Sequence, residues 1–418
     1  MRLLFLTPQL PYPPRQGTTL RNFNLIKQLA ARHTIDLAGF LAPTDDATYA
    51  QRTDSPLMTL CRRVDTVPTP QRSSAQRIRD TLFSLQPDMG LRLADEEMRA
   101  LVARRLREEE YDLVQAEGIE MAQYGCMAGE QSIPWIFDDH NCEYLLQKRN
   151  AVTDLRRISR LAPGVYSLVQ WQKLARYEAM LCRTADAVTV VSEADGRALR
   201  RIAPQLTTTV VSNGIDLSQY KHDAASQQDN EARPTLVFTG KMDYRPNIDA
   251  VLWFGRDVLP LITDMMPTVR FQIVGMNPHP RLDELRENPY IEITGAVEDV
   301  RPYIDGAAVY VIPMRIGGGT RFKALEAMAS RKAIVSTSLG VEGIGVQDGR
   351  EMLIADEPVS MASAILQLLR QGTAERAHLG EAGYRFVSAH YAWEKIVPAL
   401  EQVYEEVAET RRGVTKAR

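Results

Sequence analysis

The sequence has little of what marks several classes of protein. Its 418 residues include only four cysteines, and Cys61, Cys126, Cys142 and Cys182 show no paired spacing. They indicate neither a disulfide framework nor a zinc site, and a reducing cytoplasm is the simpler setting. Apolar runs stay short of the roughly 18 residues that a membrane-crossing helix requires. We therefore expect no transmembrane helix.

An excess of positive or negative charge is also missing. The 50 Lys and Arg residues are balanced by 53 Asp and Glu, and the net charge of −3 gives no reason to expect a nucleic-acid partner. The N-terminal MRLLFLTPQLPYPP lacks a small-residue cleavage site, which predicts a buried strand rather than a signal peptide. No G-x-G-x-x-G follows that strand, so an ordinary dinucleotide site is not expected.

What is present is an ordinary globular composition, with 44% hydrophobic and 25% charged residues. The chain is long enough for two domains of about 200 residues each. Strand–loop–helix patterns recur in both halves of the sequence, and they predict two α/β domains.

The most informative stretch is AAVYVIPMRIGGGTRFKALEAMASRKAIVSTSLG, residues 307–340. It predicts a strand, a glycine-rich loop, a helix over 321–330 and a second strand over 333–337. Such a loop suits phosphate because its free amides and the positive end of the helix attract anions. The residues expected to contribute are Arg315, Gly317, Gly318, Gly319, Thr320, Arg321 and Lys323.

Glu326 lies more than one turn into this helix, on or near its apolar face. A carboxylate that points into the protein needs hydrogen-bond partners, and sugar hydroxyls would supply them. The alternative is that the glycines serve only the turn from strand to helix, and that Glu326 is a half-exposed helix residue.

As a whole, the stretch resembles the signature of retaining glycosyltransferases of family four, in the GGGTR-loop subgroup seen in bacterial exopolysaccharide and sugar transferases. The resemblance implies GT-B architecture, with two facing Rossmann-like domains, a cleft between them, and a C-terminal helix that crosses back to the first domain. In that family two glutamates, eight positions apart, contact the transferred sugar and the ribose. Glu326 matches the second, whereas Gly318 stands where the first would be.

The domain boundary is expected in the polar stretch that ends at Pro234, which has little hydrophobic content. We predict an N-terminal, acceptor-side domain over 1–212 and a linker over 213–234. A nucleotide-sugar-binding domain is predicted over 235–390, followed by the crossover helix over 391–410.

In the first domain, the resemblance assigns Gly17, after a proline-rich loop, to the donor side. The string FDDHNCEY follows a predicted strand over 133–137 and gathers polar groups at its end. His140 has three interpretations: a metal ligand with Asp139, a structural histidine bonded to a backbone carbonyl, or, as the resemblance implies, a catalytic residue beside the reacting sugar. We favour the last, with Asp139 and Glu143 orienting the acceptor or holding the loop.

In the second domain, Gly240 ends a predicted strand and Lys241 follows it, which suits a diphosphate. The resemblance adds a lysine near the start of the next helix, but Asn247 stands close to that place. Met276 and Val297 follow the glycines that end two later strands, and the resemblance puts them beside the nucleotide base.

The resemblance implies a retaining, metal-independent hexosyltransferase that moves a sugar from a nucleotide diphosphate sugar to an acceptor hydroxyl, without a further cofactor. His140, Lys241 and Glu326 are its expected catalytic residues. It further implies bacterial polysaccharide or glycolipid assembly in the cytoplasm, at the inner face of the membrane.

Two basic stretches, 61–79 and 148–183, fit either peripheral contact with an anionic membrane or a solvated helix face. Two alternative functions stay open. One is a GT-B nucleotide-sugar epimerase, and the other is a non-catalytic, carbohydrate-binding partner subunit of a glycosyltransferase.

Overall fold

A computed structural model describes residues 1–14, 16–41, 55–155, 161–220, 232–317 and 322–416. The chain divides into two compact units. The first unit contains Met1–Ser212 together with Ile396–Arg418, and the second contains Asn213–Lys395. The C-terminal helix thus belongs with the N-terminal residues, although about 180 residues of the other unit separate them in the sequence.

The first unit alternates strands and helices. In chain order its elements are β1 Arg2–Thr7, α1 Gly17–Leu29, β2 Thr34–Leu41, α2 Pro56–Leu60, β3 Arg63–Pro68, α3 Ser74–Phe83, α4 Asp88–Arg92, α5 Glu96–Glu108, β4 Leu113–Glu117, α6 Ala122–Glu130, β5 Trp135–Asp139, α7 Glu143–Leu155, α8 Leu161–Thr184, β6 Ala187–Val190, α9 Glu193–Ile202 and β7 Thr208–Val210.

The second unit follows the same plan. Its elements are a 3-10 turn Leu217–Gln219, β8 Thr235–Thr239, α10 Arg245–Trp253, a π-helical turn Phe254–Val258, α11 Leu259–Thr263, β9 Arg270–Val274, α12 Asp283–Arg286, β10 Ile291–Gly295, α13 Arg301–Asp305, β11 Val309–Ile312, α14 Phe322–Ala329, β12 Ile334–Ser336, β13 Leu353–Ile354, α15 Pro358–Gln371 and α16 Thr373–His390. The last helix of the chain, α17, is Trp393–Lys416.

Each unit has a parallel sheet in the described part of the chain. The order is β3-β2-β1-β4-β5-β6-β7 in the first unit and β10-β9-β8-β11-β12-β13 in the second. Both orders run outward from a central pair, which is β1 and β4 in one sheet and β8 and β11 in the other. In open parallel sheets, ligands bind beyond the carboxyl ends of the strands at the point where the order reverses. The topology therefore indicates one candidate ligand site in each unit.

Helices cover the sheets, and the central strands are consequently apolar along nearly their whole length. Leu3, Leu4, Phe5 and Leu6 of β1 are all buried, and so are the four residues of β11. This continuous burial fixes the central strands in place.

The α/β class and the positions of β1, β2 and β8 agree with the sequence prediction. The sequence over 45–76 lacks a clear apolar period and predicts irregular structure. This prediction is wrong for 56–76, where α2, β3 and the start of α3 lie, and residues 45–54 fall outside the described ranges. β3 is an edge strand with mostly half-buried residues, so its apolar periodicity is weak.

β5 begins two residues later than predicted and includes Asp138 and Asp139. Parallel pairing extends into these polar residues, with Glu117 opposite Asp138 and Asp139 opposite Val190. Successive strand residues point to opposite faces of the sheet, so the two aspartates enter different surroundings.

Helix α17 packs on the first unit through polar as well as apolar contacts. Arg32 donates two hydrogen bonds of 2.7 Å to the Glu401 carboxylate, and the buried Tyr404 hydroxyl donates to Gln115 Oε1 over 2.7 Å. Among the described residues, none of the helices combines the length and apolar character needed to cross a membrane.

Candidate functional site

In the second unit, the loop after β8 allows another group to approach its main chain closely. Gly240 has φ +156°, and a Cβ there would come within 2.7 Å of Asn247 Nδ2. The neighbouring Gly275 ends β9, and a Cβ on it would meet the carbonyl oxygen of Gly240 at 1.7 Å. Only glycine fits at these two strand ends, since any side chain would displace the backbone or Asn247.

Asn247 connects this loop to helix α14. Its Nδ2 donates to the Lys241 carbonyl over 2.9 Å, and its Oδ1 accepts from Lys323 Nζ over 2.9 Å. The Lys323 ammonium also lies 4.0 Å above the centre of the Phe238 ring. A cation is therefore held beside Gly240, although position 247 itself carries none.

Glu326, one turn further along α14, is partly buried. Tyr220 donates a long hydrogen bond of 3.5 Å to its Oε1. Burial raises the pKa of Glu326 to about 7, against the opposing effects of Lys323, Tyr220 and Arg301. This carboxyl thus has a weak hydrogen-bond partner in the protein and a pKa near neutral pH. Both properties are expected of a carboxyl whose remaining hydrogen bonds come from the hydroxyls of a ligand.

The other cations of this region differ in how they are engaged. Arg315, which follows β11, forms two hydrogen bonds of 3.1 and 3.2 Å with Asp249 and lies over the Trp253 ring. Lys241 is half-exposed and lies 3.5 Å from Asp243. Lys241 is the more available for a diphosphate, because its pairing is long and solvated.

The remaining donor-side predictions are only partly described by the structure. Gly317 has φ +113°, in the region that favours glycine, but Gly318, Gly319, Thr320 and Arg321 lie outside the described residues. Met276 is exposed after β9, and Val297 is half-buried after β10, where it packs against the core. Gly317, Met276 and Val297 follow strands at the carboxyl edge of the second sheet.

In the first unit, a buried ion pair joins α1 to β5. Arg21 donates to both oxygens of Asp138, over 2.9 and 3.0 Å, and also to the Ser212 carbonyl over 3.2 Å. Thr189 on β6 donates to the same carboxylate over 2.7 Å. Burial disfavours the charge, but Arg21 and the hydrogen bonds hold the pKa of Asp138 well below its usual range.

His140, just past β5, is fixed by two carboxylates. Its Nε2 lies 2.7 Å from Glu117 Oε2, at the end of β4, and 3.5 Å from Asp138 Oδ2. Burial opposes the charged imidazole, but Asp138 and Glu117 raise the pKa of His140 to about 9. The ring is therefore an imidazolium at neutral pH. Its Nε2 thus lies beside carboxylates, and not beside the backbone carbonyl that the structural interpretation requires.

The network continues to the C-terminal helix. Gln115 Nε2 donates to the other oxygen of Glu117 over 2.7 Å, and Tyr404 donates to Gln115. On the opposite side, Gly118 has φ +80°, and a Cβ on it would lie 3.7 Å from His140 Nδ1. The distance is an ordinary van der Waals contact, so the positive φ of Gly118, and not lack of space, favours glycine at this position.

Glu117, Asp138 and His140 are also the three groups in the described residues that are arranged to share a metal ion, with ligand atoms within 4.8 Å of one another. Arg21 already occupies both oxygens of Asp138, so a divalent cation there would meet a positive charge. The set fits a hydrogen-bonded charge network better than a metal centre. The metal interpretation of Asp139 with His140 does not fit either, because Asp139 is not one of the three.

Asp139 enters a second polar cluster. Glu178 of α8 accepts from the amides of Glu143 and Tyr144, over 2.7 and 2.9 Å, and so caps α7. Burial, followed by the charges of Glu178, Asp195 and Glu143, raises the pKa of Asp139 well above its usual range. Asp139 is 1% exposed. Of its two predicted roles, holding the loop fits this burial, and direct contact with an acceptor does not.

Glu143 is partly buried at the start of α7. Burial, followed by the charge of Glu120, raises the pKa of Glu143 to about 8. Its carboxyl is therefore mostly protonated at neutral pH, and it is available as a hydrogen-bond donor near His140. Its predicted role toward an acceptor stays a prediction.

Comparisons with known families cover parts of both units. Residues 16–219 match the model described as Glycosyltransferase Family 4, and residues 233–371 match the model described as Glycosyl transferases group 1. The two matches follow one another and together span most of the chain. Residues 16–219 are therefore similar to family-four glycosyltransferases, and residues 233–371 are similar to group 1 glycosyl transferases.

Two curated relatives are similar to parts of this chain. An uncharacterized 44.6 kDa protein in the cps region of Klebsiella pneumoniae is 24% identical over 40% of the chain and 44% of its own length. An uncharacterized glycosyltransferase of Methanocaldococcus jannaschii is 32% identical over 29% of the chain and 34% of its own length. The chain thus spans less than half the length of either relative.

Solved structures show that the glycosyltransferase fold covers nearly the whole chain. Sucrose-phosphate synthase from Thermosynechococcus elongatus has a TM-score of 0.72 at 18% identity, covering 98% of this chain and all of that one. Anabaena HepE in complex with UDP and glucose has a TM-score of 0.65 at 17% identity, covering 97% and 99%. The architecture is GT-B, with two Rossmann-like domains.

Proposed function

We propose that the protein is a retaining glycosyltransferase that moves a sugar from a nucleotide diphosphate sugar to an acceptor hydroxyl. One observation carries this proposal. In the second unit, a glycine-walled turn, a fixed lysine and an incompletely paired carboxyl meet at the edge of the sheet where the strand order reverses. These groups correspond to what the diphosphate and the ribose of a nucleotide sugar require.

The diphosphate would lie along the turn after β8. Lys323 and Lys241 supply positive charge, and the amides after Gly240 and in the predicted loop over 317–321 supply donors. These groups offset the charge that develops on the leaving diphosphate, so the proposed reaction needs neither a metal ion nor a further cofactor.

The ribose would bind at Glu326. Ribose hydroxyls donate to an ionised carboxylate, and their hydrogen bonds would replace the contact with water that burial removes. Met276 and Val297 follow the ends of β9 and β10, where an apolar pair fits the face of a base. UDP, which accompanies the Anabaena structure, supports a nucleoside diphosphate as the ligand class.

The proposed transfer takes place on one face of the sugar. The bond between the anomeric carbon and the phosphate oxygen breaks, the acceptor oxygen bonds to the same face, and the phosphate oxygen takes the acceptor proton. His140 contributes a positive charge that Glu117 and Asp138 hold in place. The buried Asp138 and Glu117 carboxylates hold that ring in place and do not act as nucleophiles.

The setting of the reaction follows from the relatives. The Klebsiella protein lies in a cps region, which supports polysaccharide or glycolipid assembly as the role of this chain. We propose that the enzyme acts at the inner face of the cytoplasmic membrane.

The proposal is tested by incubating the protein with nucleotide sugars in the absence of an acceptor, and following the products by proton NMR. A retaining transferase should slowly release the free sugar with the anomeric configuration of the donor. Release of the inverted sugar would contradict retention. An epimerised nucleotide sugar would identify an epimerase, and no change without nucleotide binding would identify a partner subunit.

A further inference from the structure

Helix α3 of the first unit exposes its apolar side chains to solvent. All ten of its residues are exposed or half-buried. The large apolar side chains of α3 and the two residues after it are among the most exposed of the described residues: Ile78 62%, Leu82 69%, Phe83 82% and Leu85 88%. A helix that packs on a domain normally turns such side chains inward.

Polar contacts attach the helix to the rest of the unit. Asp80 accepts from Arg72 over 3.0 Å, and Lys173 of α8 donates to the Thr81 carbonyl over 2.6 Å. Gln170 of α8 donates to the Thr81 hydroxyl over 3.5 Å. These contacts hold the polar side of α3 against α8, and its apolar side chains therefore project outward.

The apolar side chains continue onto α8. Val165 and Val169 are exposed and stand one position before Tyr166 and Gln170. Tyr166 interacts with Arg77, and Gln170 accepts from the Asp88 amide over 2.8 Å, which places this flank of α8 beside α3. The six apolar side chains, Ile78, Leu82, Phe83, Leu85, Val165 and Val169, are here called the α3 surface.

Cations are in excess around the α3 surface. Arg72, Arg77 and Arg79 pair with the carboxylates of Asp80 and Asp88, and Arg77 and Arg79 are largely exposed. Lys173 donates to the backbone carbonyls of Asp80 and Thr81. Elsewhere in the basic stretch 61–79 the charge is neutralised, because Arg62 pairs with Asp36 and Arg63 with Glu109. The positive charge of this stretch is thus concentrated beside the apolar side chains.

We propose that the α3 surface inserts into the interfacial layer of an anionic lipid membrane, with Arg77 and Arg79 at the level of the lipid phosphates. Side chains that project this far do not line a recess for a peptide, whereas projecting apolar groups with flanking cations match a lipid interface. The inference rests on the proposed function for its purpose, which is to bring the transferase to a lipid-linked acceptor. Binding itself needs no nucleotide sugar.

The test is cosedimentation of the full chain with vesicles of phosphatidylcholine and phosphatidylglycerol, without nucleotide. The double variant Phe83→Ser/Leu85→Ser should lose about tenfold in partitioning, since two large apolar groups no longer leave water. The matched control is Met265→Ser/Val359→Ser, which removes two comparably exposed side chains from the second unit and should bind as the parent does. Arg79→Gln should lose about fivefold on mixed vesicles and little on pure phosphatidylcholine.

A second measurement reports insertion directly. The emission of Phe83→Trp should shift to shorter wavelength when vesicles are added. The proposal is wrong if the parent protein does not sediment with vesicles, or if the serine pair sediments as well as its control. It is also wrong if the serine pair dissociates a dimer in gel filtration, because a second copy would then cover the surface.

The same samples separate this inference from the proposed function. If the protein binds vesicles but no nucleotide changes its melting temperature, the membrane proposal is supported and the proposed transferase function is wrong. If it binds a nucleotide but not vesicles, the transferase function is supported and the membrane proposal is wrong.

Discussion

The two candidate sites are built in opposite ways. Around His140, each charge faces a partner within the first unit: Arg21 with Asp138, and the imidazolium with Glu117. Around Glu326, the carboxyl has one contact of 3.5 Å, and its pKa is raised to about 7. The charged groups of the first site are paired within the protein, whereas the Glu326 carboxyl of the second site has room for hydrogen bonds from a ligand.

This difference separates two physical tasks. A balanced, buried network costs little to keep in place once it has formed, and it fixes one ring in one orientation. An underpaired carboxyl costs stability in the free protein, and that cost is relieved when hydroxyls bind. Substitutions should therefore change folding stability most at the His140 network, and ligand affinity most at the Glu326 site.

The largest effect is expected for Arg21→Met. It leaves Asp138 and Glu117 buried with one cation fewer, and the free energy of unfolding should fall by about 3–5 kcal/mol. Urea denaturation measures this change. The matched control Arg256→Met breaks an exposed pair with Glu284 and should cost below about 1 kcal/mol. Equal losses for the two variants would show that the network is not the balanced cluster described here.

A pH dependence should come next in size. The folded pKa of His140, about 9, exceeds the unfolded value of 6.5, so its stabilisation is complete below about pH 6.5 and is lost as the pH rises through 9. The difference in unfolding free energy between the parent and His140→Asn should shrink over this range by up to about 3 kcal/mol. The exposed His378 provides the control, His378→Asn. A difference that stays constant with pH would mean that His140 is not charged.

At the second site, Lys323→Met should weaken nucleoside diphosphate binding about tenfold, equivalent to about 1.4 kcal/mol. The reason is the loss of the cation that Asn247 holds beside Gly240. Titration calorimetry with the nucleoside diphosphate and with the nucleoside measures the change in affinity. The nucleoside, which has no phosphate, should bind the parent and Lys323→Met with the same affinity. Equal losses for both ligands would mean that Lys323 does not contact phosphate.

The smallest effect is expected for Tyr404→Phe, at the far end of the His140 network. It leaves the Gln115 carbonyl oxygen without its donor and should cost about 1 kcal/mol. The double variant Tyr404→Phe/Gln115→Leu should be less destabilised than the sum of the single variants. Strict additivity would mean that the two side chains do not interact.

The sequence predicted the parts of the molecule that follow from local pattern. The apolar runs of β1, β2 and β8 and the glycine after β8 are visible in the sequence, and so is Glu326 on a helix face. Edge strand β3 was missed because its side chains are half solvated and carry no strong period. The limits of β5 were misplaced because pairing with two neighbours, and not polarity, decides where it ends.

The partners at each site could not be read from the sequence. Glu117 stands 23 residues before His140, and Arg21 stands 117 residues before Asp138; only the order of the parallel strands brings them together. Lys323 was visible as a nearby charge, but its bond to Asn247 spans 76 positions. Long-range pairs of this kind depend on sheet topology, which leaves no local periodicity in the sequence.

The central claim is that the second unit binds a nucleoside diphosphate through Glu326. The most direct test is thermal melting of the parent and Glu326→Gln with UDP, GDP, ADP, TDP and CDP. A ligand at about 100 times its dissociation constant should add about 2.7 kcal/mol of stability. One nucleotide should shift the parent, and more strongly as the pH rises through 7, because the ionised carboxylate accepts from ribose. The shift of Glu326→Gln should be smaller and independent of pH. If no nucleotide shifts the parent, or if both proteins shift equally at every pH, the account is wrong.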